Sequence, residues 1–144
     1  MLQISKADKF GSFTLHYANQ VLHAEVHGVC GLNLAQYFVD AVNQIVEQID
    51  DPYWGYLGDL SALDGFNQQA LDIIFPAHRL AIAKGCVVDA YCFDSPLTRT
   101  QIQLIRSSAG IQSSLNERVF HELGQANAYL RQQLASISQY SRSR

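Results

Sequence analysis

Acidic and hydroxyl side chains follow two short apolar segments of this chain, where they could form a polar binding site. Asp59, Ser61 and Asp64 come after the first segment, and Asp94 and Ser95 come after the second. Carboxylate and hydroxyl oxygens gathered at one place could line the mouth of a ligand pocket or hold a cation. Asp and Ser are also the preferred turn and N-cap residues, so capping of the helices that begin there is the favoured interpretation.

Two histidines, His16 and His23, are predicted to face each other in a hairpin, with Glu25 and His27 on the same face. Two imidazoles and a carboxylate could bind zinc. The same alternation points these side chains away from the apolar face, as in a sheet with one solvated side. We therefore predict a solvent-exposed polar face and no metal.

A cysteine and a histidine three residues apart, His27 and Cys30, could form a nucleophilic pair. No third group that would orient the histidine and no oxyanion hole can be identified, so catalysis is not predicted. The glycines around Cys30 do not form a dinucleotide-binding fingerprint, and no Walker A lysine follows. His121-Glu122 begins like a zinc-protease motif, but Gln125 stands where the second histidine is required.

The elements that would position these residues begin with a predicted β-hairpin. Two segments around Asn19-Gln20 alternate apolar and polar residues. A two-residue turn at Asn19-Gln20 puts every apolar side chain on one face, through the pairs Tyr17 with Leu22, Leu15 with Ala24 and Phe13 with Val26.

Helices and strands alternate after the hairpin. Asn33 is the expected N-cap of the first helix, and Pro76 predicts a kink or two abutting short helices in the second. A further short strand is expected near Arg118–Phe120. The periodicity predicts strands Trp54–Asp59 and Val87–Phe93 and helices Asn33–Ile49, Asn67–Lys84, Leu97–Ser107 and His121–Ser136.

This order predicts an α/β fold with a mixed sheet of four or five strands, an N-terminal antiparallel hairpin, βαβ crossovers and about four helices. The strands that end at His27, Asp59 and Phe93 should be parallel, because a helix separates each from the next. Their carboxyl ends then share one edge, where open α/β sheets usually bind ligands. The loops at that edge are Gly28–Leu32, Leu60–Phe66 and Asp94–Pro96.

Composition narrows the class of protein. The 144 residues are 48% hydrophobic and 16% charged, which is typical of one globular domain. We expect that domain over residues 1–137 and a polar tail over residues 138–144. The net charge of -3 and the scattered Lys and Arg residues predict no nucleic-acid partner. No apolar run approaches a membrane span, and three unpaired cysteines fit reduced thiols, so a cytoplasmic location is expected.

The order of elements resembles the STAS fold of anti-sigma-factor antagonists, and more closely the SpoIIAA-like family, which is related in fold to CRAL-TRIO lipid carriers. The resemblance covers most of the chain. The residues that carry it are the hairpin with Gly28, the strand Trp54–Leu57 leading into Asp59-Leu60-Ser61, the helix end Ala83-Lys84-Gly85, and the closing Phe120, Ala126 and Tyr129-Leu130.

In the antagonists of this family, the loop after this strand carries a phosphorylated serine beside an aspartate, and the following helix meets a kinase or an anti-sigma partner. Here that stretch reads Asp64-Gly65-Phe66, and Ser61 lies one turn earlier. Glycine cannot accept phosphate, so we expect no phosphorylation switch at this position. The SpoIIAA-like resemblance implies instead a non-enzymatic domain that holds an apolar ligand or touches a membrane.

We therefore predict a binding domain without cofactor or metal. The first hypothesis is that a small apolar or lipid-like ligand binds between the sheet edge and a lid helix, Leu97–Ser107, with peripheral contact at the inner membrane face. The alternative is a protein-interaction module that binds a partner, or a second copy as a homodimer, through Asp64–Phe75. The expected ligand-binding residues are Asp59, Ser61, Asp64, Phe66, Phe93, Asp94, Ile102 and Ile105.

Overall fold

The computed structural model describes residues 2–142 and is an α/β fold with one mixed sheet. A 3₁₀ helix at Leu115–Arg118 precedes the last α-helix. In chain order the elements are β1 (Leu2–Ala7), β2 (Gly11–Ala18), β3 (Val21–Cys30), α1 (Leu32–Glu47), β4 (Trp54–Asp59), β5 (Leu63–Phe66), α2 (Gln68–Ala83), β6 (Cys86–Cys92), α3 (Pro96–Ser108) and α4 (Leu123–Arg142).

The strands follow the spatial order β1-β2-β3-β4-β6, and β5 pairs with β3 beyond the end of β4. The β2–β3 register is the predicted one, with Tyr17 opposite Leu22 and Phe13 opposite Val26. Asn19 and Gln20 both have positive φ angles, 53° and 67°, as a tight two-residue hairpin turn requires. Strands β3, β4 and β6 are mutually parallel, which confirms the predicted crossovers.

The sheet has six strands instead of the four or five predicted, because two short strands were missed. β1 is an edge strand with mostly exposed side chains, so its apolar pattern is weak. β5 lies inside the segment Leu60–Phe66 that was predicted to be a loop. Only its pairing with β3, through Gly28 with Leu63 and Cys30 with Phe66, makes it a strand.

Most helix positions agree with the prediction, while their ends differ. α1 begins after Gly31, not at an Asn33 cap, and no side chain caps it. α2 runs through Pro76 as one helix, so the alternative of two short helices is wrong, and Asn67 caps it by accepting a hydrogen bond from the Ala70 N–H. The expected strand near Arg118–Phe120 is reduced to one bridge, between Val119 and Tyr91.

The last helix is longer than predicted. α4 continues to Arg142 and so includes most of the segment 138–144 that was expected to be a polar tail. Residues 143 and 144 lie outside the described residues.

Two apolar layers cover the sheet unequally. The larger cluster lies under α1, α2 and α3 and contains Phe13, Leu15, Trp54 and Tyr91. The smaller cluster lies under α4 and involves only Val21 of β3 together with residues of β4 and β6. The outward-facing side of β1, β2 and β3 is therefore left as a polar surface, as the alternation predicted.

No helix within residues 2–142 is both long enough and apolar enough to cross a membrane.

Candidate functional site

The carboxyl ends of β3 and β4 and the segment after β6 meet at one edge of the sheet, as their parallel pairing requires. Backbone hydrogen bonds join the three: the Leu60 N–H donates to the Cys92 carbonyl, and the Gly28 N–H donates to the Ala62 carbonyl. The chain after β4 thus crosses the edge before it becomes β5. We call this region the sheet edge.

The polar residues of the sheet edge mostly act as turn and cap residues. The Asp59 carboxylate accepts a hydrogen bond from the Ser61 N–H at 3.3 Å. The Ser95 hydroxyl accepts one from the Thr98 N–H at the start of α3. Asp64 and Asp94 are exposed, and within the described residues neither side chain makes a hydrogen bond or an ion pair. This arrangement matches the capping interpretation more closely than a polar mouth.

Phe66 is held to α3 by a side chain that the sequence did not single out. The Gln101 amide accepts from the Phe66 N–H at 2.9 Å and donates to the Phe66 carbonyl at 2.7 Å. Gln101 is buried, so both hydrogen bonds are shielded from water. They fix α3 against the end of β5.

Large apolar side chains are exposed along the sheet edge. Phe10, Val29 and Leu97 are 70%, 43% and 52% exposed. The Val29 N–H donates to the Phe10 carbonyl, and Val29 pairs with Gly65 across β3 and β5. The Leu97 Cδ2 atom lies 3.1 Å from the position that a Cβ of residue 65 would occupy. We call Phe10, Val29, Gly65 and Leu97 the apolar edge surface.

A cavity of about 60 Å³ lies between the sheet and helices α1, α2 and α3. Its lining is mostly apolar and includes Phe66, Ile102 and Ile105. The two isoleucines are buried members of the larger core cluster. The ligand-binding roles of the eight residues predicted from the sequence stay a prediction.

Comparison with known proteins finds likeness only at the level of the fold. No protein-family model matches the sequence, and no curated protein matches it significantly. An anti-sigma factor antagonist from Mycobacterium paratuberculosis superposes with a TM-score of 0.59 at 18% identity, over 87% of this chain and 97% of its own. SpoIIAA in its unphosphorylated form gives 0.61 at 12% identity, over 83% and 96%.

An uncharacterized protein with a SpoIIAA-like fold from Shewanella loihica gives a TM-score of 0.63 at 13% identity, over 87% of this chain and 98% of its own. This chain has the SpoIIAA-like fold. The resemblance suggested by the sequence is therefore confirmed for the fold.

A buried ion pair between Arg106 and Asp89 was not predicted from the sequence. Arg106 of α3 is fully buried, and its guanidinium donates to the Asp89 carboxylate from Nε at 2.7 Å and from a terminal nitrogen at 3.1 Å. It also donates to the Ser113 carbonyl and hydroxyl. A lone aspartate in the otherwise apolar β6 was the available signal.

The structure shows the surroundings of Cys30 and of the three histidines that were considered as catalytic or metal-binding residues. Burial, with a smaller contribution from the Asp8 charge, raises the pKa of Cys30 to about 12. The thiol is therefore a poor nucleophile. His27 bonds to Glu25 at 2.8 Å, and no group of three or more potential metal-ligating side chains occurs among the described residues. His16 and His23 do lie opposite each other, as predicted.

Proposed function

We propose that this chain is a non-enzymatic interaction module that binds a protein of the anti-sigma-factor class through its apolar edge surface. The observation that carries the proposal is a group of three exposed apolar residues, Phe10, Val29 and Leu97, near the buried Gly65. Two of the similar structures are named as anti-sigma factor antagonists, which supports this class of partner.

The surface has the composition of the centre of a protein interface. Interface cores are depleted of charged residues and enriched in aromatic residues such as Phe10, and a few residues there supply most of the affinity. Full burial of an apolar side chain of this size stabilises a complex by about 1.5–3 kcal/mol relative to exposure. Phe10 and Leu97 are more than half exposed, so most of that gain is still available to a partner.

The surface is also held in position before any partner arrives. Leu97 lies in the first turn of α3, and the two Gln101 hydrogen bonds fix that helix to Phe66. Val29 and Gly65 are paired strand residues. A preorganised surface loses less conformational entropy on binding than a mobile one.

Charge further defines the partner. Asp64 and Asp94 are exposed at the sheet edge and have no ionic partner among the described residues. A complementary protein would present apolar side chains opposite Leu97 and basic side chains opposite these carboxylates. Because residue 65 is glycine, this contact operates without a phosphoserine at that position.

A lipid-like ligand, the first hypothesis from the sequence, has weaker support. Pockets for drug-sized ligands are typically about 300–1,000 Å³, whereas the apolar cavity under α2 and α3 is about 60 Å³. Lipid entry would require α3 to leave its place, which would break the Gln101 and Arg106 hydrogen bonds.

The test is direct binding of the purified chain to each anti-sigma factor encoded in the genome of its source, measured by calorimetry. The test variant is Leu97→Asp, and the matched control is Leu104→Asp. Leu104 lies on the same helix and is 50% exposed, but it is outside the apolar edge surface. We expect Leu97→Asp to weaken binding at least tenfold and Leu104→Asp to leave it unchanged.

Three results would overturn the proposal: no anti-sigma factor binds, both variants weaken binding equally, or neither does. Sedimentation of the chain alone detects self-association. A dimer that Leu97→Asp dissociates would assign the surface to a second copy instead of an anti-sigma factor.

A further inference from the structure

A second cavity, of about 250 Å³, lies on the opposite face of the sheet from the apolar core, where the β2–β3 hairpin meets the beginning of α4. Its apolar lining includes Val21 and Leu57. Its polar lining consists of five side chains from three elements and the hairpin turn: His16, Asn19, His23, Asn127 and Arg131. Asn127 and Arg131 are four residues apart on α4 and therefore share one face of that helix.

The two histidines are brought together by the strand register. His16 pairs with His23 across β2 and β3, and their ring centroids are 4.9 Å apart. The His23 Nε2 atom is shielded from solvent and has no hydrogen-bond partner. Among the described residues, none of the five polar side chains makes a side-chain hydrogen bond or an ion pair.

In another polar cavity, two of the polar side chains already have partners. A cavity of about 300 Å³ beside β6 is lined by Asp89, Ser113 and Arg118. There Asp89 and Ser113 both accept hydrogen bonds from Arg106, and Arg118 lies 3.8 Å from Asp89. Asp89 and Ser113 therefore have partners, whereas the buried Arg118 Nε atom has no hydrogen-bond partner. The polar groups of the hairpin cavity are left for solvent or a ligand.

Charge decides the class of ligand. Arg131 is the only formally charged residue in the lining, and no carboxylate lines the cavity. The nearby carboxylates of Glu25 and Asp59 lie outside the lining, where Glu25 bonds to His27 at 2.8 Å and Asp59 accepts from the Ser61 N–H. Two imidazoles, two amides and a guanidinium supply donors for an anion, while the arginine would repel a metal cation.

We propose that this cavity binds a small oxyanion, most suitably a phosphate group, through His16, His23, Asn127 and Arg131. The tetrahedral oxygens of phosphate can accept from several of these donors at once, and Arg is well suited to phosphate geometry. The cavity volume leaves room for a small organic group attached to the phosphate. The site is separate from the apolar edge surface, so the two proposals stand or fail independently.

Binding should strengthen as the pH falls. Burial lowers the pKa of His23, and His16 lowers it further, while Asp59 on β4 and Glu25 on β3 oppose the shift. Arg131 is the charged group that faces the pair from α4. A bound anion favours the imidazolium form, so it should raise the pKa of His23, and by linkage protonation of His23 should raise the anion affinity.

The test uses the whole chain with ¹⁵N-labelled histidine, followed by NMR of the imidazole nitrogens at low ionic strength. Inorganic phosphate is the first probe, and glycerol 3-phosphate tests for an attached organic group. Sulfate tests the pH dependence of binding, because its charge is constant between about pH 5.5 and 8.

Replacement of the exposed Arg131 by glutamine should weaken phosphate binding about tenfold, which is ~1.4 kcal/mol. His23→Gln should do the same, and His27→Gln, on the same sheet face but outside the cavity, should not.

The proposal predicts that the imidazole resonances of His16 and His23 shift saturably with phosphate, that sulfate binds more tightly at lower pH, and that Arg131→Gln requires about tenfold more phosphate for the same shift. Absence of shifts, or shifts unaffected by Arg131→Gln, would overturn it. If Zn²⁺ binds more tightly than phosphate, and neither phosphate nor sulfate displaces it, the histidine pair is a metal site and not an anion site. Tighter binding of glycerol 3-phosphate than of inorganic phosphate would identify the ligand as a phosphate ester.

Discussion

Replacement of Gly65 by alanine should reveal how closely the apolar edge surface is packed. Gly65 has a φ of +143°, a conformation that residues with a side chain rarely adopt, and an added Cβ would lie 3.1 Å from the Leu97 Cδ2 atom. The substitution therefore has two costs. Backbone strain of this kind is about 1–3 kcal/mol, and Leu97 must also move by a few tenths of an ångström.

Gly110→Ala provides a control in which the added Cβ causes backbone strain but meets no neighbouring side chain. Its φ is +79°, and no atom lies within 4 Å of its added Cβ. Gly110→Ala should therefore show backbone strain alone, about 1–2 kcal/mol. We expect Gly65→Ala to lower the free energy of unfolding by about 2 kcal/mol or more, equivalent to roughly 4–8 °C in Tm for a chain of this size. Urea unfolding monitored by circular dichroism measures both.

A double-mutant cycle with Leu97→Ala tests the contact itself. In that background, the loss caused by Gly65→Ala should shrink by about 0.5 kcal/mol or more, because the truncated side chain no longer meets the new Cβ. An unchanged loss would show that Leu97 does not pack over residue 65. A stability gain from Gly65→Ala would refute the backbone argument as well.

Two further predictions concern buried groups. Arg106→Leu should lower the free energy of unfolding by about 3–5 kcal/mol, because it leaves the buried Asp89 carboxylate without its main partner. The control Arg99→Leu, at an exposed position of the same helix, should change that free energy by less than about 0.5 kcal/mol. Urea titrations measure both, and equal effects would contradict the ion-pair argument. Cys30 should react with iodoacetamide at pH 8 about a thousandfold more slowly in the folded chain than in urea, since a pKa of about 12 leaves about one thiol in ten thousand ionised. A folded-state rate that levels off near pH 8.5 would show an ordinary thiol.

The β2–β3 hairpin and its register were determined by the sequence itself. Phe13, Leu15, Leu22, Ala24 and Val26 fall on one face only if Asn19-Gln20 forms the turn, so a slip of one residue would expose this set. The local apolar pattern also predicted β4 at Trp54–Asp59, and the strand has the same bounds in the structure. It also predicted the parallel strands and their shared edge, because a helix between two strands leaves little choice of direction.

The ends of elements depended on contacts that local patterns do not show. β5 has four residues and contains a glycine, so its own propensity for a strand is low. It is a strand because β3 extends past β4 and offers unpaired backbone groups at Gly28–Cys30. The predicted helix began at Asn67 itself, whereas the structure makes Asn67 the N-cap and begins α2 at Gln68.

The candidate sites were decided by tertiary structure. Arg106 is buried because it pairs with Asp89, seventeen residues earlier on β6, and no local pattern shows that contact. The polar sheet face was predictable, whereas the approach of Arg131 to the histidine pair was not. Alternation and periodicity specify which side of an element is apolar. They do not specify which residues of distant elements meet, because that depends on the packing of helices across the sheet.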